Sequence, residues 1–386
     1  MGTRHYQLHF AKGGNMKSIL SAPTKNRILA IACFSLIAFM LPALARRSTA
    51  QGGAWTTKTP MPTARSAFSV GEVNGLLYAV GGSTARPYVQ PLPDSTSSVV
   101  EAYDATTDSW TTKASMPTPR ANLGVGVVNG IVFAVGGKGL GGTILSTVEA
   151  YDPTTDTWTT KAPMPTARYG LGVAVIGGVL YAVGGVGANG SSVLPTLEAY
   201  DAANDTWTTR ASMPTARYLL GAAALNGNLY ALGGINQSVV YATVEAYDPG
   251  TNTWTTKAPM TGPRGSFGVS ALNGQIYVAG GGNGVVVLAT AEAYNPTTDT
   301  WQAIAPMSTA RYYPGAGSAI GNFYVIGGTT DDINAFSIVE AFTPATPHVG
   351  PPNSKDQCKN GGWQKFDTPR KFKNQGDCIQ FVNTGK

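Results

Sequence analysis

Apolar residues along this chain come in runs of about five, set in pairs and divided by two-residue turn signals. Gly124 to Val128 and Ile131 to Val135 flank Asn129-Gly130, a dipeptide that adopts the two positive φ angles of a type I′ hairpin turn with little strain. Asn74-Gly75, Asn226-Gly227 and Asn273-Gly274 repeat the device, while Gly177-Gly178 and Gly321-Asn322 meet the same demand at two further places. Each pair predicts a hairpin whose strands are covered on both faces. A third strand of the Val148 to Tyr151 type follows a variable loop. Asp152-Pro153-Thr154-Thr155-Asp156 then reads as a turn before Trp158 opens a Thr-rich strand that alternates and faces water.

The unit recurs six times. Trp55, Trp110, Trp158, Trp207, Trp254 and Trp301 stand at spacings of 55, 48, 49, 47 and 47, a period in the propeller range. The same register holds for Arg65, Arg120, Arg168, Arg217, Arg264 and Arg311, and for Gly pairs beginning at Gly81, Gly136, Gly184, Gly233, Gly280 and Gly327. It holds again for Glu101, Glu149, Glu198, Glu245, Glu292 and Glu340. A diglycine ending an apolar strand, a Glu-Ala-Tyr segment after a variable loop and a Trp some seven residues later resemble the kelch family from residue 55 to about 343. The resemblance implies an all-β fold, a six-bladed kelch β-propeller with four antiparallel strands per blade. The chain begins the repeat with a lone outer segment, Trp55-Thr56-Thr57-Lys58, and ends it with three strands lacking their Trp. Closure by the N-terminal outer strand is therefore expected, with Trp55 beside Val339 to Phe342; Trp363 is out of phase for a seventh blade.

Charge separates along the chain. Of 27 Lys and Arg and 21 Asp and Glu, residues 1–50 hold seven bases and no acid, residues 51–349 hold 13 against 18, and residues 350–386 hold seven against three. The basic excess belongs to the two ends, and the acidic body argues against nucleic acid as a partner. Within the first 50 residues, Lys25 and Arg27 precede a run from Ile28 to Leu41, mostly Ile, Leu, Ala, Phe and Met and free of charge, short of the ~20 residues of a spanning helix but suited to a signal peptide. Small-residue cleavage patterns follow at Ala43-Leu44-Ala45 and Ser48-Thr49-Ala50. The expected organisation is an export signal over 1–50, a propeller over 51–343, a Pro-rich linker over 344–353 and a small module over 354–386. It implies a secreted, periplasmic or cell-surface monomer with no membrane span after cleavage.

The repeated Arg and Glu read as scaffold, since a residue demanded by six near-identical units is explained by the unit itself. Function is expected where the blades differ: just after each Arg, and in the loops after each Gly pair. In kelch binding modules these regions lie on one face around the central channel, and the resemblance implies the same here. Tyr169, Tyr218, Tyr312 and Tyr313, with Asn122 and Asn236, form a polar-aromatic set suited to a peptide or a glycan. Lys138, Asp331 and the first-blade insertion carrying Arg86 and Tyr88 complete the candidate binding residues. The alternative is that the rings simply fill the channel mouth.

Catalytic chemistry is poorly supplied. The three histidines are His5, His9 and His348, and the propeller body has no Cys, so no His-dependent triad, zinc site or copper site is expected there and no cofactor is assigned. An exported carbohydrate enzyme of the sialic-acid mutarotase type matches in architecture only, and a purely structural surface protein is the third reading. Beyond the linker, Ser354 to Trp363 and Phe372 to Cys378 resemble a short module at the ends of exported bacterial proteins. In an oxidising compartment Cys358 and Cys378 are expected to pair, closing a loop that would stabilise so small a unit by roughly 3 kcal/mol.

Overall fold

A computed structural model of the chain describes residues 52–84, 95–331, 334–345, 355–359 and 371–384. Within them the long strands form six four-stranded antiparallel sheets, whose innermost strands pack side by side in a closed ring. Blade two is representative, running outward through Gly124–Val128, Ile131–Val135, Val148–Asp152 and Thr157–Lys161. Five blades use consecutive strands. The sixth takes Gly315–Ala319, Asn322–Ile326 and Val339–Pro344 from the end of the repeat and its outer strand, Gly53–Lys58, from the beginning. Trp55 is paired with Phe342, and the two ring centres lie 5.3 Å apart. The expected closure is present, which joins the ends of the propeller through a sheet rather than a loop.

Tyrosines fill the space between neighbouring blades. Tyr78 and Tyr151 meet at 5.8 Å between blades one and two, and Tyr181 and Tyr247 at 5.9 Å between blades three and four. Each buried ring of this kind contributes on the order of 2 kcal/mol by leaving water. The seam is also pinned by hydrogen bonds. Both backbone groups of Ala114, at the end of blade one, are taken up by blade two: Asp156 Oδ1 accepts from its N–H at 2.8 Å, and the Trp158 indole donates to its carbonyl at 2.9 Å. The Tyr151 hydroxyl donates to the same Asp156 oxygen at 2.6 Å. Asp108, Asp205, Asn252 and Asp299 repeat this grip at four more seams. Asn252 shows that the acceptor oxygen matters rather than the charge. At the closing seam Gly53 stands where the other blades have this side chain, and Phe342 where they have Tyr, leaving the Trp55 indole bond to the Ala305 carbonyl.

The hairpin turns follow the Asn-Gly signals, with Asn129 at φ 50° and Gly130 at φ 78°. Blade six corrects one expectation. Ala319 pairs with Asn322, so the turn residues are Ile320 and Gly321, and not Gly321 and Asn322. The register of the flanking strands decides this, and it holds Ile320, a β-branched residue, at φ 46°. Near the C-terminus, Lys355–Cys358 and Gln375–Thr384 are helical and joined by the Cys358–Cys378 disulfide. Phe372, Ile379, Phe381 and Val382 pack around it, and the Asn374 side chain caps the second helix by accepting from Asp377 N at 2.9 Å.

Ile320 yields a direct test of the turn. Replacing it by Asn restores the turn chemistry of the other blades and removes a left-handed strain of about 1–2 kcal/mol. Ile320→Asn is expected to raise the midpoint of thermal or urea unfolding; an unchanged or lower midpoint would refute the assignment of strain to this turn.

Candidate binding face

Each blade is organised around one buried guanidinium. Arg168 has no exposed surface. It donates to Glu198 Oε2 at 2.7 Å, to the Ala182 carbonyl at 3.1 Å and to the Thr196 carbonyl at 3.2 Å. The other Glu198 oxygen accepts from the Thr166 hydroxyl at 2.7 Å. One side chain thus ties the loop entering the blade to its second strand, to the loop before its third strand and to that strand itself. Burial pushes the Arg168 pKa down from its ordinary value and Glu198 opposes the fall. The pairs Arg65–Glu101, Arg120–Glu149, Arg217–Glu245, Arg264–Glu292 and Arg311–Glu340 repeat the arrangement. Blade five varies it: Gly262 stands where four blades place the Thr that bonds this Glu, and Glu292 accepts from the Thr261 backbone N–H at 2.9 Å instead.

The backbone of the same Arg looks the other way. Its carbonyl accepts from the second glycine of the preceding blade, as in Gly137 N to Arg168 O at 2.9 Å, and the series closes with Gly328 N to Arg65 O at 3.0 Å. This approach is why the pair must be glycine: a Cβ on Gly136 would sit 2.6 Å from the Arg168 carbonyl oxygen.

The next two residues form the face. The first after each Arg pairs with a residue just past the diglycine of the same blade: Ser66 with Ser83, Ala121 with Lys138, Tyr169 with Val186, Tyr218 with Ile235, Gly265 with Gly282 and Tyr312 with Thr329. The two regions where the blades differ are therefore partners in one small ladder, at the same end of every blade. The second residue after each Arg adopts left-handed backbone: Ala67, Asn122, Gly170, Leu219, Ser266 and Tyr313, with φ from 51° to 63°. These six are joined N–H to carbonyl in a closed ring at 2.7 to 2.9 Å, running from Ala67 to Tyr313, Ser266, Leu219, Gly170, Asn122 and back to Ala67. The ring borders an axial cavity of about 160 Å³, lined further along by the first strands.

Most of the expected binding residues fall on this face, though their side chains differ in what they do. Tyr169 and Tyr218 are half-buried neighbours in edge contact at 6.5 Å, and the Lys138 ammonium lies 5.8 Å from the Tyr169 ring centre. Burial raises the pKa of both tyrosines, with Tyr218 adding to the effect on Tyr169, so both hydroxyls are protonated at neutral pH. Tyr312 occupies the same position in blade six. Tyr313 belongs instead to the backbone ring, its own ring 5.0 Å from that of Tyr312; it does not correspond to the other three. Asn122 is buried in the backbone ring. The Asn236 side chain donates to the Ala216 carbonyl at 2.9 Å and so secures its loop, while Asp331 Oδ1 accepts from Asn334 N at 3.1 Å in the loop of blade six. Arg86 and Tyr88 lie outside the described residues. Three residues on this face escaped the sequence reading: Val239, Val285 and Val286 are exposed in the loops of blades four and five. The run Val285-Val286-Val287 after Asn283-Gly284 is the signal that marks two of them. Among the described residues no group of His, Cys, Asp and Glu is placed to hold a metal ion, and no helix is long and apolar enough to cross a membrane.

Residues 159–328 match the KLHDC2/KLHL20/DRC7 Kelch-repeats domain, and residues 64–117 and 119–165 each match the Kelch motif. Among curated proteins, the chain is 37% identical over 86 residues to Kelch-like ECH-associated protein 1B of Danio rerio, covering 22% of this chain and 14% of that protein. It is 38% identical over 80 residues to the Influenza virus NS1A-binding protein homolog of Mus musculus, covering 21% of this chain and 11% of that one. The chain thus spans only a small part of these relatives. Among solved structures, that of YjhT aligns with a TM-score of 0.62 at 16% identity, covering 73% of this chain and 95% of that one, a likeness of fold.

The division between the buried Arg–Glu pair and the face predicts two unlike mutational outcomes. Arg168→Met leaves Glu198 buried without its cation and is expected to cost about 3–5 kcal/mol. Tyr169→Ala removes a half-buried ring and is expected to cost about 1 kcal/mol. Urea unfolding of both variants checks this; equal losses would show that Tyr169 is as much a part of the scaffold as the arginine.

Proposed function

Because the chain belongs to the kelch-repeat family, whose propellers typically serve as protein-interaction modules, we propose that it binds a peptide segment of a partner protein across the loop face of the propeller. The observation that carries this reading is the adjacency of Tyr169, Tyr218 and Lys138 on the end of the molecule where the blades differ. Half-buried tyrosines offer large rigid surfaces with a hydroxyl donor at the tip, at a small cost in side-chain ordering. A glycan could use the same rings, but the aliphatic Val239, Val285 and Val286 beside them favour a peptide. The relatives named for binding the influenza virus NS1A protein support the same class of role. The apolar run from Ile28 to Leu41 supports export, which would place the partner outside the cytoplasm.

Selection of a displayed random peptide library on the propeller tests the reading. The protein is expected to enrich related sequences, and a variant with Tyr169, Tyr218 and Tyr312 all changed to Ala is expected to lose that enrichment while keeping its circular dichroism spectrum. Equal enrichment by both proteins would place binding elsewhere. For export, N-terminal sequencing of the protein recovered from an exporting host is expected to begin at Arg46 or Gln51; an intact N-terminus would contradict it.

A further inference from the structure

The loop face is unequal around its circumference. Only five large apolar side chains are strongly exposed among the described residues, and three of them, Val239 at 53%, Val285 at 75% and Val286 at 55%, sit in the adjacent loops of blades four and five. The two loops touch, since a Cβ on Gly284 would lie 3.3 Å from Val240 Cγ2. Both are built rather than frayed. Ile235–Asn236 pairs with Val239–Val240, and Asn283 Oδ1 accepts from Val285 N at 3.0 Å and Val286 N at 2.9 Å. An isolated exposed valine needs no explanation, but a contiguous group held on two ordered loops does. Passing back around the ring come Tyr218 in blade four, Tyr169 in blade three, and then Lys138, paired with Ala121 in blade two and set over the Tyr169 ring. The face therefore presents a zone of three valines, an aromatic pair and a cation in that order, with a single exposed leucine, Leu140, in the loop of Lys138.

We infer that the partner segment is an amphipathic peptide with an acidic residue at one end, seated toward Lys138, and an aliphatic side chain at the other, seated on Val239, Val285 and Val286. This rests on the peptide-binding reading above and adds to it the partner's chemistry and its direction across the face. Charge complementarity selects the acidic end and sets its register, while desolvation of the valines holds the aliphatic end. Neither residue class is required by the propeller itself: other blades place Ser83, Val186 or Gly282 where blade two has Lys138, and among the described residues no other pair of neighbouring loops places three exposed aliphatics together.

The test uses labelled synthetic peptides with a Gly/Ser spacer of graded length, carrying Asp at one end and Leu at the other in both chain directions. Control peptides replace Asp by Lys or Leu by Ser. The wild-type propeller is expected to bind the best Asp/Leu peptide roughly tenfold more tightly than either control. Lys138→Glu is expected to reverse the preference between Asp and Lys peptides, and Val285→Ser with Val286→Ser to remove the preference for Leu, with thermal midpoints unchanged. Binding without regard to the charged or aliphatic end, or binding of library-selected peptides but of none in this set, overturns the inference and leaves peptide binding standing. Failure of both the set and the library overturns peptide binding itself.

Discussion

The buried arginine–glutamate pair is the constraint on which each blade depends. A guanidinium removed from water must have its donors met by fixed acceptors. Arg168 meets this with the carboxylate of Glu198 and the carbonyls of Ala182 and Thr196, groups drawn from three separate segments. The connecting loops are also held by backbone bonds such as Arg168 N to Leu145 O and Leu145 N to Gly137 O, but the guanidinium is the side chain that reaches all three segments at once. The pair supplies that tie, and its energetic weight comes less from attraction than from the penalty of leaving either charge alone.

The same residue also carries order from blade to blade. Its carbonyl receives the diglycine of the preceding blade, and two residues on, the backbone enters a closed ring of six inter-blade hydrogen bonds. Left-handed backbone at Ala67, Leu219, Ser266 and Tyr313 is unfavourable for side-chain-bearing residues and persists because both neighbours over-determine it. The consequence for function is positional. The side chain between the Arg and the ring residue is fixed at both flanks, so Tyr169, Tyr218 and Tyr312 are presented from a rigid rim. At the seam between blades five and six, where Gly53 and Phe342 replace the Asp and Tyr of other blades, the outer grip is reduced to the Trp55 indole, while the Gly281–Arg311 and Tyr313–Ser266 backbone bonds persist and the Ser318 hydroxyl donates to that of Ser270.

The blades were legible in the sequence because each level repeats the same demand. Asn-Gly specifies a turn, the diglycine permits close approach to a carbonyl, and the apolar runs are continuous because both faces are covered. Where one level departs, the reading slipped: Ile320 carries no turn signal, and only the register of Ala319 with Asn322 places it in the turn. The face was legible in outline, since variation among repeats locates it without naming its chemistry. Tyr312 and Tyr313 are adjacent in sequence yet serve different ends, one on the rim and one in the backbone ring, a distinction set by alternation of hydrogen bonding that the residue types do not disclose. Asn236, a candidate ligand contact, also gives an amide hydrogen to the Ala216 carbonyl, a loop-holding role that its residue type does not disclose. The valines of blades four and five were overlooked because apolar runs in this chain otherwise mark buried strands.

A rigid scaffold of near-identical units with a variable rim separates stability from the proposed recognition: the residues that repeat hold the fold, and those that differ are the ones proposed to meet the partner. The most direct measurement of that claim is a crystal structure of the propeller with a peptide recovered by selection. The account predicts the peptide over the channel mouth in contact with Tyr169 and Tyr218. A peptide bound along the outer strands, or on the opposite face among the Asn-Gly turns, would contradict it.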